Sequence, residues 1–345
     1  MLAPSLRLML QGTGMDWSGI EEIRLRAGQP LSVTWKGRSL FVSSRGVLQE
    51  RNGQPSLEMI RTVTLEEVGQ TMDLLSSYSR YAFEDKIRQG FLTVRGGHRV
   101  GLAGRVILEQ GEISGKVKTI SPVTCINIRV AKEVIGCGQT ILPYLWKTDR
   151  ELLGDGEEGS EKESLKEPMG ETWKRRIYDT LLVSPPGVGK TTLLRDLIRL
   201  LSYEGMTVGV VDERSELAAC WQGVAQHDLG PGTDVLDGCP KVSGMMMLIR
   251  AMAPQIIAVD EIGEEADHKA LECIMCSGCG IMATAHGSSF EELGRRPVLS
   301  RWLKEERFGR YVFMEKSKTV EGIVYRYRVC DGAGNLVTIV ERKVP

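Results

Sequence analysis

A short glycine-containing segment near the middle of the chain carries the clearest chemistry. It reads Ser184-Pro185-Pro186-Gly187-Val188-Gly189-Lys190-Thr191-Thr192 and follows a short apolar stretch. Glycines let such a loop fold around phosphates, and a helix N-terminus behind it adds partial positive charge. The lysine then reaches the β- and γ-phosphates, and the Thr191 hydroxyl ligates magnesium. The segment predicts a site for ATP and Mg²⁺, although Ser184 stands where the usual pattern has its first glycine.

A second acidic motif lies about seventy residues further along the chain. Four apolar residues, 256–259, predict a buried strand, and Asp260 and Glu261 follow it directly. Asp260 is placed to hold Mg²⁺, and Glu261 is placed to orient and activate a water molecule. An apolar strand ending in acids is common in α/β proteins, so the motif gains its meaning from the loop that precedes it.

Two further predicted strands end in polar residues. Residues 206–211 lead to Glu213, and residues 280–284 lead to His286. Ligands of open α/β sheets bind at the carboxyl ends of the strands. We therefore expect the predicted catalytic residues to converge on one crevice; they are Lys190, Glu213, Glu261 and His286. For His286, a γ-phosphate sensor and a structural histidine are equally good interpretations.

The elements around these motifs alternate between strand and helix, which predicts an α/β fold with a mainly parallel sheet. The predicted strands are 178–184, 206–211, 256–259 and 280–284. The predicted helices are 191–201, 244–253 and 264–276. Residues 323–329 and 336–340 flank a glycine-rich turn and predict a closing β-hairpin.

The first part of the chain has a different character. It predicts a smaller α+β domain over residues 1–148, with a helix at 65–81 and strands that include 31–35, 91–107 and 124–130. Residues 149–176 are charged, glycine-containing and poor in large apolar side chains, which predicts a linker or disordered insertion. The ATP-binding domain then covers residues 177–345.

Composition limits the classes of partner. The 345 residues carry a net charge of −1, which removes any general electrostatic argument for nucleic-acid binding. The sequence contains no apolar run long enough to span a membrane, and we expect a cytoplasmic protein with reduced thiols. Cys273, Cys276 and Cys279 lack a fourth nearby ligand, so we expect no metal cluster. Cys273 and Cys276 fall on a predicted helix, at a spacing that predicts small core residues instead.

Several segments resemble the type II/IV secretion and pilus-motor ATPases. Asp212-Glu213-Arg214 resembles their Asp box, residues 248–263 their Walker B segment, and Thr284-Ala285-His286 their His box. Residues 23–31 resemble a strand of their N-terminal domain. Within this group, residues 233–241 and 244–250 resemble the stage III sporulation AA proteins of endospore-forming bacteria. The resemblance covers nearly the whole chain, except the charged insertion.

The resemblance implies a RecA-like ATPase domain in a hexameric ring that converts ATP hydrolysis into motion. It also implies a location in the mother cell, at the cytoplasmic face of a membrane channel complex between mother cell and forespore. Such motors draw basic contacts to the nucleotide from their N-terminal domain. The candidate arginine fingers are Arg95, Arg99, Arg105 and Arg129, and pairing with surface carboxylates is an equally good interpretation of each.

Two other functions compete with a motor. The first is a nucleic-acid-associated P-loop ATPase, because a related group has similar ATP-site segments; the acidic pI and the absence of an added binding module oppose it. The second is a scaffold that binds ATP without turnover, which Ser184 would favour. The complete set of Lys190, Thr191, Asp260 and Glu261 opposes that interpretation.

Overall fold

The computed structural model describes residues 1–43, 48–50, 61–79, 83–109, 116–148, 175–320 and 322–344. The chain divides into two compact units, Met1–Lys132 and Glu133–Pro345. Nearly all of the predicted linker lies outside the described residues. No helix in the described part is both long enough and apolar enough to cross a bilayer.

The first unit is built on an antiparallel sheet of seven strands in the order β4-β3-β2-β1-β7-β6-β5. Its strands are β1 (Ile20–Arg26), β2 (Ser32–Trp35), β3 (Arg38–Val42), β4 (Leu48–Glu50), β5 (Phe91–Val94), β6 (His98–Leu108) and β7 (Val117–Arg129). Its helices are α1 (Pro4–Gln11), α2 (Leu65–Leu75) and α3 (Glu84–Arg88). Thr64 caps α2 in a reciprocal capping box with Glu67, which explains where that helix begins.

The second unit contains a mixed sheet of eight strands in the order β10-β9-β11-β12-β8-β13-β14-β15. The first six in that order pair in parallel, and β13, β14 and β15 pair antiparallel. The strands are β8 (Thr180–Ser184), β9 (Val208–Asp212), β10 (Thr233–Asp237), β11 (Ile256–Val259), β12 (Gly280–His286), β13 (Arg310–Thr319), β14 (Gly322–Asp331) and β15 (Leu336–Val344). The helices are α4 (Lys190–Tyr203), α5 (Lys241–Ala251), α6 (Glu265–Ser277), α7 (Phe290–Gly294) and α8 (Pro297–Lys304).

The middle of this sheet explains the apolar runs of the sequence. Every residue of β8, β9 and β11 is buried, as expected for parallel strands covered on both faces. Helix α4 packs Leu193, Leu197 and Leu201 into the core on one side of the sheet. The other side is covered by α5 and α6, which contribute Leu248 and Ile274.

The division between the units differs from the expected boundary at residue 148. Residues 133–148 belong to the second unit. Cys137, Ile141 and Leu145 are buried in the same core cluster as Leu193. The Asp196 carboxylate of α4 also accepts hydrogen bonds from the amides of Gly136 and Gly138. These long-range contacts hold residues 133–148 against α4, and no sequence pattern indicates them.

Two local predictions are wrong. The single strand expected at 91–107 is the hairpin of β5 and β6, because the chain turns at Arg95 and two glycines with positive φ. The core role expected for Cys273 and Cys276 also fails, since both are exposed. The buried face of α6 carries Ala270, Leu271 and Ile274, and the two cysteines project from other faces.

Candidate functional site

Parallel pairing in register brings the candidate residues to one edge of the second sheet. His286 on β12 lies beside Ser184 on β8. Val259 on β11 pairs with Ala283 on β12 and with Val211 on β9. The residues that follow β8, β9, β11 and β12 therefore emerge together at their carboxyl ends, where ligands of open sheets bind.

The loop between β8 and α4 has the backbone that a phosphate-binding loop needs. Gly187 and Gly189 have φ values of 77° and 116°, in the region that favours glycine. A Cβ atom at either position would meet nothing within 4 Å, so the loop leaves open space on that side. The Ser184 hydroxyl donates within the loop, to the Pro185 carbonyl at 2.9 Å. Ser184, which replaces the usual first glycine, therefore coexists with the positive φ values of Gly187 and Gly189.

The ammonium of Lys190 begins a chain of polar contacts across the edge. Its Nζ donates to the Ser184 carbonyl at 3.1 Å and lies 3.0 Å from Nδ1 of His286. The other ring nitrogen, Nε2, lies 3.2 Å from Oε1 of Glu261. A lysine ammonium only donates, so Nδ1 accepts and Nε2 carries the proton that faces Glu261. His286 thus joins the loop lysine directly to the Glu261 carboxylate.

A second set of contacts surrounds Asp260. The Thr191 hydroxyl donates to Oδ2 of Asp260 at 2.8 Å, and the Thr284 hydroxyl donates to Oδ1. Thr284 also accepts from the amide of Glu261 at 2.9 Å. Mg²⁺ takes hydroxyl and carboxylate oxygens as ligands, so Thr191 and Asp260 suit that ion. In the sequence, Thr284 was noted only as part of a family motif. In the structure it hydrogen-bonds both to the Asp260 carboxylate and to the Glu261 amide.

Burial changes the acid–base properties of this edge. Lys190 is buried, and desolvation lowers the pKa of its ammonium although the charges of Asp260 and Glu261 act in the opposite direction. A partly desolvated lysine gains more from a phosphate partner than an exposed one does, because it has less hydration to lose. The same burial strengthens its contact with His286.

The turn after β9 behaves differently. Asp212 is buried, and its carboxylate accepts from the amides of Glu216 and Ala218, both at 2.8 Å. Burial raises its pKa even though these amide bonds lower it. Glu213, one of the predicted catalytic residues, is exposed, and its carboxylate contacts no hydrogen-bond or ion-pair partner among the described residues. Arg214 instead approaches the site, with NH1 3.0 Å from Oε2 of Glu261.

A polar cleft of about 240 Å³ opens at this edge. Its lining includes Glu213, Arg214, Lys241, Asp260, Glu261 and His286. The whole lining holds four nitrogen-bearing side chains and a larger set of six carboxylates, those of Asp212, Glu213, Glu216, Asp260, Glu261 and Glu264. The excess of carboxylates suits a divalent cation, whereas phosphates are better placed at the adjoining loop that ends in Lys190.

Comparison with known proteins identifies the family. A profile described as "Sporulation stage III, protein AA" matches residues 1–153 and 164–329. The stage III sporulation protein AA of Bacillus subtilis (strain 168) is 36% identical over 308 residues, which cover 88% of this chain and 85% of that relative. The chain belongs to this family. The family membership that the motifs predicted is thereby confirmed.

Solved structures support the fold of this sporulation-family chain. The ATPase DotB of Legionella pneumophila matches with a TM-score of 0.53 at 15% identity, over 95% of this chain and 81% of that one. The pilus retraction motor PilT, solved with bound ADP, matches with a TM-score of 0.56 at 14% identity, over 96% and 83%. At such identities the likeness concerns the fold alone, and it confirms an α/β fold of the secretion-ATPase type.

The candidate arginine fingers of this family member all lie in the first unit. Arg95 is exposed in the turn between β5 and β6, and Arg105 is exposed on β6. The Arg99 guanidinium stacks over the ring of Phe91, 4.2 Å from its centroid. Arg129 is exposed at the end of β7, with Nε 4.0 Å from a carboxylate oxygen of Glu22. A role for any of the four at a nucleotide stays a prediction.

Sequence reasoning missed two residues that contact Glu261. Arg214 was noted only as part of a family motif, yet its guanidinium pairs with the Glu261 carboxylate. Lys241 was noted in the same way, and its Nζ donates to the main-chain carbonyl of Glu261 at 2.7 Å. Neither contact is local, so only the fold reveals them.

Proposed function

We propose that this protein is an ATP-hydrolysing motor of the secretion and pilus type. The observation that carries the proposal is the contact chain from Lys190 through His286 to Glu261, beside the pair of Thr191 and Asp260. These five side chains come from three separate segments of the second unit. Their types match, one for one, the parts that hydrolysis of a bound nucleoside triphosphate needs.

Each residue has a defined part in the proposed reaction. The loop amides and Lys190 would bind the phosphates, and Thr191 and Asp260 would hold Mg²⁺, which when bound neutralises charge on the phosphate oxygens. Glu261 orients a water molecule and accepts its proton as the water oxygen bonds to the γ-phosphorus. The bond from that phosphorus to the bridging oxygen breaks, which leaves ADP and phosphate. His286 contacts both Lys190 and Glu261. Phosphate binding at Lys190 would therefore affect the position of the Glu261 carboxylate through this ring.

Family membership supports a proposal about the wider function. We propose that the chain works as a hexameric ring at the cytoplasmic face of the mother-cell membrane. There it would energise a channel complex between mother cell and forespore, through membrane-protein partners. In a ring, an arginine of the first unit could act across a subunit boundary, where it would accelerate phosphoryl transfer by about a thousandfold or more.

ATP hydrolysis by the purified chain, measured across a concentration series with mass from light scattering, tests this function. Turnover should increase as the chain assembles. Lys190→Ala and Glu261→Gln should each lower it by at least about 100-fold, while Glu261→Gln still binds ATP. Lys269→Ala, on the exposed face of α6, serves as the control and should hydrolyse ATP like the parent.

Two outcomes would replace the proposal. ATP binding without turnover at any concentration, in a species that stays monomeric, would favour the scaffold. Turnover that requires single-stranded DNA or RNA at low salt, where phosphate contacts are strongest, would favour the nucleic-acid-associated ATPase.

A further inference from the structure

Glu261 has an unusual main chain for a residue at a functional site. Its φ is 54°, a left-handed conformation that non-glycine residues rarely adopt. Such conformations persist only when the surrounding structure holds them in place. The direction in which the carboxylate leaves the backbone depends on this conformation. The contacts that hold the main chain of Glu261 therefore matter to its position in the cleft.

Two groups contact the main chain of Glu261, and a third holds the turn that follows it. The Thr284 hydroxyl accepts from the Glu261 amide at 2.9 Å. The Lys241 ammonium donates to the Glu261 carbonyl at 2.7 Å and lies 3.4 Å from Oδ2 of Asp267. The same Asp267 oxygen accepts from the amides of Gly263 and Glu264, each at 2.9 Å. The turn that begins at Glu261 is therefore tied at both ends to one ion pair.

The ion pair is well shielded from water. The Lys241 side chain is 13% exposed and that of Asp267 is 1% exposed. A pair at this depth keeps a fixed geometry far better than a surface pair, whose two side chains move freely in solvent. Removal of either partner would also leave the other as a buried, uncompensated charge.

Stability of its own helix does not explain why a lysine stands at position 241. Lys241 is the first residue of α5, and the first turn of that helix contains no acidic residue. The partial positive charge of a helix N-terminus repels a cation there. The lysine is thus unfavourable for α5, and its ammonium contacts the Glu261 carbonyl and the Asp267 carboxylate at the start of α6. A role outside its own helix accounts for the residue.

We propose that Lys241 and Asp267 are positioning residues that hold Glu261 in the conformation needed for hydrolysis. The proposal deepens the proposed ATPase function and rests on it. Lys241 acts through the main chain of Glu261, so it affects the chemical step rather than the binding of ATP. An alternative role, direct contact with a phosphate, would affect binding instead.

Steady-state kinetics of four variants, combined with direct ATP-binding measurements, test this role. Lys241→Met keeps the length and apolar part of the side chain but removes its charge. It should lower kcat by about 10- to 100-fold, because a small misplacement of a reacting group has effects of that size. KM and the Kd for ATP should stay within about twofold of the parent. Asp267→Asn should lower kcat in the same way, Lys241→Arg should restore part of it, and Lys269→Met is the matched control.

Hydrogen exchange gives a readout that does not depend on turnover. In Lys241→Met the amides of residues 261–264 should exchange faster, while those of β8, β11 and β12 keep the parental rates. The Glu261→Gln background adds a second check. There, addition of Lys241→Met should cause no further loss of rate, because the group that Lys241 positions is already gone.

The possible results separate the two proposals. A parent chain that does not hydrolyse ATP overturns the proposed function, and unchanged exchange at 261–264 then overturns the main-chain contact as well. An active parent with an unchanged kcat in Lys241→Met overturns the positioning role alone. A tenfold or greater rise in the Kd for ATP would show that Lys241 binds the nucleotide itself. If Lys241→Met fails to fold, Asp267→Asn and Lys241→Arg decide the question.

Discussion

The turns after β9 and β11 begin from similar sequences and use their acidic residues differently. Each follows a fully buried strand with an Asp-Glu pair. The Asp212 carboxylate is occupied by two amides of its own loop, and it is buried. The Asp260 carboxylate contacts the hydroxyls of Thr191 and Thr284, beside the phosphate-binding loop. One aspartate organises a loop, and the other is available to a metal ion.

The two glutamates differ in the same sense. Glu213 is exposed after β9, whereas Glu261 is held through its amide, its carbonyl and its carboxylate. A strand that ends in acidic residues therefore indicates only that carboxylates are present. Which carboxylate is available for chemistry depends on the groups that other segments bring to it.

The largest expected effect is on the rate of ATP hydrolysis and its dependence on Mg²⁺, which should differ between variants of Asp260 and Asp212. Asp260→Asn should lower ATP hydrolysis by about 100-fold or more, because it weakens the metal ligand set. In Asp212→Asn the Mg²⁺ concentration that gives half the maximal rate should match that of the parent. Mg²⁺ titration of the hydrolysis rate measures both. A shift in that concentration for Asp212→Asn would show that the two turns share one function.

A smaller effect is expected on stability, and here the Asp212 variant should lose more than the Asp260 variant. Asp212→Ala leaves two buried amides without their acceptor and should lower the free energy of unfolding by about 2–4 kcal/mol. Asp260→Ala should cost less than about 1 kcal/mol, because a functional acid beside Glu261 contributes little to folding. Urea unfolding of the two variants and the parent provides the measurement. Equal losses for both would remove the distinction between a structural and a functional aspartate.

The smallest effect concerns the pH dependence of that stability. Burial raises the folded-state pKa of Asp212 above its usual 3.8, so the folded protein binds this proton more tightly than the unfolded chain does. The stabilisation is complete below pH 3.8 and is lost as the pH rises through the folded-state value. The free energy of unfolding of the parent, minus that of Asp212→Asn, should therefore decrease over this window.

Unfolding curves at closely spaced pH values would resolve this slope. Asp212→Ala should lack the slope in the same way as Asp212→Asn, because neither side chain titrates. A difference between parent and variant that increases with pH would mean that the amides of Glu216 and Ala218 outweigh the effect of burial.

The sequence predicted the elements whose pattern is local. The predicted strands 178–184 and 256–259 stand out because Leu181 to Val183 and all of 256–259 are apolar, and the structure has β8 and β11 there. The helix predicted at 191–201 corresponds to α4, since the loop glycine fixes its start and leucines repeat on one face. The closing hairpin corresponds to β14 and β15 for similar reasons.

Elements with mixed patterns escaped prediction. β10 (Thr233–Asp237) is a half-buried edge strand in which Asp234 and Asp237 flank only two apolar residues, so it has no apolar run. β13 changes character along its length, because Tyr311 to Met314 are buried and the five residues after them are exposed. The sequence analysis therefore predicts no strand over residues 310–319. The boundary at Lys132 was also invisible, since Cys137 and Ile141 show their partners only in the folded unit.

The candidate site also contains parts with a local sequence pattern and parts without one. The phosphate-binding loop and the pair of Asp260 and Glu261 are contiguous motifs, so their residue types announce them. Thr284, Arg214 and Lys241 act on Glu261 from 23, 47 and 20 residues away in sequence. No spacing rule links such positions. They are brought together by parallel strand pairing and by the packing of α5 beside α6.

The left-handed backbone of Glu261 has a consequence for how this protein can evolve. An L-residue in that conformation costs about 1 kcal/mol relative to glycine. A glycine at position 261 would therefore stabilise the turn and remove the carboxylate at the same time. Selection for stability alone would favour that loss, so the carboxylate is retained only while its activity is under selection. Position 261 is where a lineage that no longer used the reaction would be expected to decay first.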